Sequence, residues 1–322
     1  MVVSWVSRLQ GRPPYDDLIR SGQTNDSSLE NTLRIATFKL NGQRHVGQVS
    51  ADGHHVTAFA LTAEQAHHGA QPIIDAMTAG HALPALAGTP HDITHVHLEA
   101  PLPVPRRNLW CVGRNYHAHA KELQASVFKD SNTDTQAWPI VFTKVPECVV
   151  GPTDDVHLPG AAVSEQIDYE AELAVVIGKG GKNISQADAM NHVFGYTVVN
   201  DVTARDVQMR HQQWDMGKSF DTFCPMGPWL VTADEVDGRN TRVRCWVNGE
   251  LRQDGPTENM IFDIPTLIET ISRGITLYPG DIIATGTPAG VGMGLNPPRY
   301  IAKGDVIRVE IDGVGSIENR FV

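Results

Sequence analysis

This chain encodes an α+β fold in which strands predominate, and three observations predict it. From Asn108 onward, seven short apolar runs of strand character follow one another: 139–144, 172–177, 195–200, 229–231, 242–247, 281–284 and 306–311. Turn punctuation lies at Asn248-Gly249, Pro279-Gly280, Lys303-Gly304 and Asp312-Gly313. Only two helical stretches stand out, 185–191 and 264–273, the second stopped by Gly274. Strands that outnumber helices, with no regular alternation between them, exclude a doubly wound parallel sheet.

Upstream of Asn108 the texture differs. Residues 1–32 are polar, with Arg8 and Arg12 ahead of the first acids, Asp16 and Asp17. They read as an arm, with a mitochondrial presequence as the alternative. From Leu33 the run RIATFKLNGQRHVGQVSADGHHVTAF alternates apolar and polar residues, and Asn41-Gly42 and Asp52-Gly53 carry two-residue hairpin chemistry, so a small antiparallel meander is expected. Residues 62–86 are Ala-rich and read as mostly helical, and Pro101, Pro103 and Pro105 mark a boundary. The expected organisation is an arm with a small α/β domain over 1–107, then a catalytic domain over 108–322.

A chain of 322 residues can bury a large core without staples, and 41% hydrophobic with 20% charged residues is ordinary for a globular protein. The longest apolar runs, such as 173–177, stop far short of the ~18 residues a membrane-spanning helix needs. Lys and Arg total 26 against 37 Asp and Glu, a net charge of -11, and no dense basic cluster appears. Nucleic-acid binding, which requires phosphate neutralisation, is thereby disfavoured. Cys111, Cys148, Cys224 and Cys245 form no CxxC pair, so a reducing compartment is expected: the cytoplasm, with the mitochondrial matrix as alternative.

The sharpest chemical feature is Asp168-Tyr-Glu170-Ala-Glu172 running into Leu-Ala-Val-Val-Ile177. Glu170 and Glu172 are two apart in a strand and leave the same face. A bare pair of this kind usually faces solvent. Here the strand heads into a core, and Asp201 ends a second apolar strand, 196–200. Carboxylates gathered at the edge of a core repel unless a cation or proton lies between them. Three of them make an all-oxygen site suited to Mg2+, Mn2+ or Ca2+ and not to zinc.

Five segments in order carry a resemblance: Gly113-Arg-Asn-Tyr-His-Ala-His-Ala-Lys-Glu122, Asp168-Tyr-Glu-Ala-Glu-Leu173, Asn200-Asp-Val-Thr-Ala-Arg-Asp206, Gly217-Lys-Ser-Phe-Asp-Thr-Phe-Cys-Pro225 and Thr285-Gly-Thr-Pro-Ala-Gly-Val-Gly292. Residues 108–322 resemble the catalytic domain of the fumarylacetoacetate hydrolase superfamily, closest to the subgroup called fumarylacetoacetate hydrolase domain-containing protein 2. The resemblance implies a mixed β-roll, a divalent metal and a homodimer. Carried over residue by residue, it places the metal carboxylates on Glu170, Glu172 and Asp201. It places a His–Glu dyad on His119 and Glu122, whose i, i+3 spacing lets the carboxylate reach the imidazole on a helical turn. Lys218 matches the family's substrate-side lysine, which can hold a carboxylate or polarise an enolate oxygen. Gln208 and Thr287 match substrate-contacting positions, the latter with Gly286 in a turn whose N–H groups can cradle an anion. Arg114 and Tyr116 of the first motif join the expected substrate site. Lys144, ending a strand nearby, is expected there or in solvent. Arg205 and Asp206 read as a structural ion pair, or as support for Asp201. The polar stretch 124–137 matches a region that can order over substrate as a lid in related proteins.

Such a site would clamp a small anionic 2-oxo acid or 1,3-dicarbonyl and stabilise its enolate. Hydrolysis of a C–C bond in an acylpyruvate, with His119–Glu122 activating water, ranks first by a narrow margin. Oxaloacetate keto–enol tautomerisation is close behind, and decarboxylation or isomerisation at the same site follow. A biosynthetic enzyme acting on a larger enol would use Phe128 and Trp138 to line a wider pocket. A catalytically inactive binding protein ranks last, because no expected site residue is missing. Glu170→Gln or Asp201→Asn is expected to abolish metal-dependent activity and to leave the fold intact.

Overall fold

The alternating run after Leu33 forms β1 (Arg34–Leu40), β2 (Gln43–Val49) and β3 (His55–Ala58). The structure, a computed structural model, describes residues 33–126, 138–210 and 213–322. The expected arm over 1–32, residues 127–137 of the expected lid, and Phe128 within it lie outside those residues. Asn41 and Gly42 join β1 to β2 with φ of 51° and 80°, the left-handed pair that a two-residue hairpin turn needs. Asp52-Gly53 departs from expectation. Ser50 and His55 close that hairpin with Ser50 N–H donating to His55 O at 2.8 Å, so the loop has four residues, and Asp52 Oδ1 accepts from Ser50 Oγ and from His54 N–H.

The Ala-rich stretch makes two helices, α1 (Ala63–His67) and α2 (Gln71–Thr78). Thr62 caps α1 in a reciprocal box with Gln65. The helical expectation over 62–86 fails after Thr78, where Gly80 and then Pro84 follow; proline cannot stand in a helix interior.

Past the proline boundary come β4 (Leu109–Gly113), α3 (His117–Ser126) and β5 (Ile140–Lys144). Next are β6 (Ala171–Ile177), β7 (Val193–Asn200), α4 (Arg205–Arg210), α5 (Asp215–Lys218) and β8 (Cys224–Thr232). The chain closes with β9 (Arg242–Val247), β10 (Glu250–Pro256), α6 (Ile264–Ser272), β11 (Ile282–Ala284), β12 (Val306–Ile311) and β13 (Gly315–Arg320). The main sheet runs in the order β3-β2-β1-β8-β7-β6-β11-β4-β5, and β10-β9-β12-β13 form a second sheet. Every residue of β6 and β8 is buried, which explains the continuous apolar run from Leu173 to Ile177 and that from Trp229 to Val231. The second sheet packs on the first, with Val309 and Ile317 in the same core as Val198 and Leu230, and Trp229 Nε1–H donates to Val314 O at 2.7 Å. Among the described residues, no helix is long and apolar enough to cross a membrane.

The meander continues into the main sheet, because Arg34 and Ile35 pair antiparallel with Val231 and Leu230. Ile35, Phe38 and Val46 share one core cluster with Leu173 and Val198. One thermal transition is therefore expected by calorimetry. Ile35→Ala and Leu173→Ala should each lower it, by about 3 kcal/mol of stability. Two separable transitions, with Ile35→Ala moving only one, would show that the meander melts alone.

Candidate active site

β6 and β7 run antiparallel with Ala171 opposite Asn200, so the start of one strand abuts the end of the other. Glu170 immediately precedes β6, Glu172 lies within it, and Asp201 immediately follows β7. Asp201 N–H donates to Glu170 O at 2.8 Å, and Asn200 Oδ1 accepts Glu170 N–H at 3.1 Å, which locks the junction. The three carboxylates are buried, and each offers an oxygen within 4.8 Å of the others.

Carboxylates taken out of water this close together need compensating charge. Lys218 Nζ reaches Glu170 Oε2 at 2.8 Å and Asp201 Oδ2 at 2.7 Å. Lys144 Nζ lies 2.9 Å from Asp201 Oδ1, an ion pair without hydrogen-bond alignment, and donates to the carbonyls of Val202 and Lys218. Arg205 donates to Glu170 Oε1 at 2.6 Å and to Asp168 Oδ2 at 2.9 Å. Burial alone would push the Glu170 carboxyl up, but Lys218 and Arg205 bring it down to about 2. Glu172 is the exception. Its Oε2 accepts Gly286 N–H at 2.9 Å, and among the described residues no cation reaches it. Burial, then Asp201 and Glu170, hold it well above the usual carboxylate range. An all-oxygen donor set with one carboxylate left uncompensated fits a hard divalent cation, held by Glu170, Glu172 and Asp201.

The dyad lies on α3. His119 Nδ1 is 3.2 Å from Glu122 Oε2, and Gly290 N–H donates to both Glu122 oxygens, at 3.1 and 3.3 Å. The glycine-rich loop that holds Glu122 is itself tied down. Gly292 N–H and Met293 N–H donate to Asp168 at 2.7 and 2.9 Å, and Tyr169 Oη–H donates to Gly290 O at 2.8 Å. Asp168 thus joins the loop behind the dyad to Arg205 behind Glu170.

His119, Glu170 and Lys218 open onto one narrow cleft, together with Arg114, Arg205, Gln208 and Thr287. Six expectations need correction. Lys144 is neither solvated nor on the cleft wall; it is fully buried against Asp201. Gly286 N–H cradles an anion, but that anion is Glu172. Thr287 borders the cleft with its hydroxyl already engaged, donating to Ala171 O at 2.9 Å and accepting from Gln253 Nε2 at 2.7 Å. Tyr116 is 2% exposed and borders the core instead of the cleft. Arg205 supports Glu170, not Asp201, while Asp206 accepts from Ser164 Oγ at 2.6 Å. Trp138, expected to line a wider pocket, is 54% exposed and stands under the Arg273 guanidinium.

Asp168, which ties the glycine-rich loop to Arg205, and Trp214, which also borders the cleft, are given no role by the sequence reading. The one available signal was Asp168 standing two residues before Glu170 at the mouth of an apolar strand.

Two expectations follow. Glu172 keeps its proton in the fold to a higher pH than in the unfolded chain, where about 4.3 is usual. Stability of the metal-free protein therefore falls as pH rises above that value, and a dication relieves the loss. Mg2+ should raise the melting temperature more at about pH 8 than at about pH 5; an equal gain at both would remove Glu172 as the uncompensated group. The expectation that site variants leave the fold intact also changes. In chelator at about pH 8, Glu172→Gln should be at least as stable as wild type, whereas Asp201→Asn removes the counter-ion of buried Lys144, leaves Lys218 with Glu170 alone, and should lose about 3 kcal/mol in urea unfolding.

Comparison with known proteins agrees with this geometry. Residues 108–322 match the family model described as fumarylacetoacetate (FAA) hydrolase, C-terminal. The chain is 51% identical over 232 residues to the oxaloacetate tautomerase YisK of Bacillus subtilis (strain 168), covering 72% of this chain and 75% of that protein. It is 47% identical over 232 residues to the mitochondrial oxaloacetate tautomerase fahd2 of Xenopus laevis, covering 71% of this chain and 69% of that one. Among solved structures, a fumarylacetoacetate hydrolase from psychrophilic Exiguobacterium antarcticum superposes with a TM-score of 0.76 at 39% identity, over 90% of this chain and 99% of that chain. Because that family model spans two thirds of the chain, residues 108–322, and relatives about half identical cover a similar share, this chain belongs to the fumarylacetoacetate hydrolase family.

Proposed function

We propose that the protein is a divalent-metal-dependent keto–enol tautomerase acting on oxaloacetate. The observation that carries the proposal is the 51% identity, over 232 residues, to a relative named for that reaction. The cleft supports it chemically. Arg114, Arg205 and Lys218 border it beside the neutral amide of Gln208, a lining suited to a small dianion. Acylpyruvate hydrolysis, ranked first on the dyad alone, becomes the second reading, because the same dyad can activate water.

Glu170, Glu172 and Asp201 would hold a divalent ion, Mg2+ or Mn2+, which when bound would supply Lewis acidity for negative charge on an enolate oxygen. The chain's own residues handle the proton. With Nδ1 of His119 engaged by Glu122, Nε2 is the basic nitrogen. In the keto-to-enol direction it takes a proton from carbon 3, and Glu122 stabilises the imidazolium. Lys218 donates to the carbon 2 oxygen as charge develops there. That oxygen then takes a proton from solvent while the imidazolium gives one up, so the net change is one C–H broken and one O–H formed. Arg114 and Gln208 hold the substrate carboxylates.

The test is a paired assay with Mg2+ and with chelator. Loss of oxaloacetate enol absorbance is followed beside pyruvate release from an acylpyruvate. Chelator-sensitive tautomerisation without pyruvate is expected. Pyruvate release with no effect on the oxaloacetate enol would overturn the proposal in favour of hydrolysis. His119→Ala should lower kcat for tautomerisation by roughly 10²–10⁴ while the melting temperature holds. Full activity in that variant would take the proton transfer away from His119.

A further inference from the structure

One wall of the cleft has no role in the proton chemistry. Gly113 ends β4, and the indole of Trp214 lies directly against it: a Cβ added at Gly113 would stand 2.3 Å from Cζ3 and 2.8 Å from Cη2 of that ring. No side chain larger than hydrogen leaves room for the tryptophan. The indole also meets Phe142 edge-on, with centroids 5.2 Å apart and planes at 64°. Trp214 adjoins the start of α5, four residues before Lys218. Asp215 anchors that helix to β5 by accepting from Thr143 Oγ1 at 2.6 Å. The same Phe142 ring lies 4.9 Å from Lys218 Nζ. The ring thus packs across two paired strands, just ahead of the short helix that carries the candidate catalytic lysine.

Gly113, Phe142 and Trp214 border the same cleft as Arg114, His119 and Gln208. The polar members can grip the carboxylate and oxo oxygens of a 2-oxo acid head. The apolar wall offers nothing to that head, but it occupies space into which a substrate tail would extend. We infer that Trp214, seated on Gly113 and Phe142, sets the substrate length limit, closing the cleft beyond a short 2-oxo acid head and excluding long acyl tails. The inference rests on the proposed function for the identity of the head, and on the packing of the wall for the limit. A pocket wall of this kind discriminates by steric exclusion, where one or two methylenes are worth roughly tenfold or more.

The test separates the two. Binding of oxamate and of N-hexyloxamate, which carry the same head without and with a tail, is measured by calorimetry on the Mg2+-loaded protein. In parallel, kcat/KM is compared for oxaloacetate and for the enol of a long-tailed 2,4-dioxo acid. Wild type should prefer oxamate by at least about tenfold, Trp214→Ala should shrink that preference by about tenfold or reverse it, and Trp214→Phe should fall between. The kcat/KM ratio should shift the same way. An unchanged preference in Trp214→Ala, equal wild-type affinity for both oxamates, or no binding of either would overturn the inference. Should Trp214→Ala fail to fold, Trp214→Phe and Gly113→Ala, which displaces the ring, decide the matter by the same ratio. Oxamate preference that depends on Trp214, in a protein inert toward oxaloacetate, would remove the tautomerase proposal and leave the length limit standing.

Discussion

Three carboxylates buried within reach of one another at the junction of two core strands are the constraint on which the rest of this structure depends. Glu170, Glu172 and Asp201 cannot be dry and charged together without cations. The chain supplies Lys218 to two of them, Lys144 to one and Arg205 to one. Each cation is contributed by an element outside the β6–β7 pair: Lys144 ends β5, Arg205 starts α4 and Lys218 ends α5. Satisfying the acids therefore fixes where those elements sit, and with them one side of the cleft. The carboxylate left over, Glu172, is what gives the site its appetite for a further positive charge.

The opposite half of the chemistry is held by backbone. Glu122 is gripped by Gly290, and the residues that follow in the same loop donate to Asp168, which in turn pairs with Arg205. A continuous line of hydrogen bonds thus runs from the carboxylate behind the imidazole to the guanidinium behind Glu170. Buried networks of this kind are rigid when fully satisfied. The same loop begins with Gly286, whose N–H fixes Glu172. One glycine-rich segment consequently positions members of both the acid cluster and the dyad.

Much of this was legible in the chain. The strands from 139 onward were readable because alternating or continuous apolar runs report burial directly, and the Asn248-Gly249 turn because its backbone geometry demands such residues. The acid cluster was legible because Glu-x-Glu leading into Leu-Ala-Val-Val-Ile places charge at the edge of a core. What misled was local chemistry with a distant partner. Lys144 resembles a substrate lysine at a strand end, but its counter-ion lies at the end of β7. The turn containing Gly286 and Thr287 does bind an anion, and that anion is another residue of the chain. Hydrolysis and tautomerisation begin from the same dyad, so residue chemistry put hydrolysis first by only a narrow margin, an order that the proposed function reverses.

By itself, the sequence determined the strand content, the Glu-x-Glu pair at the head of a core strand and the i, i+3 spacing of His119 and Glu122, because each depends on residues near one another in the chain. Asp201 as a third acid and the dyad's role came from an apolar strand end and a family resemblance. The tertiary structure alone decided how the charges are shared. That Asp168 serves the loop behind the dyad, that Arg205 serves Glu170, and that Gly113 makes room for Trp214 are contacts across 124, 35 and 101 positions of the chain. No periodicity or motif encodes such pairings. They exist only once the core has folded and desolvation has forced every buried charge to find a partner.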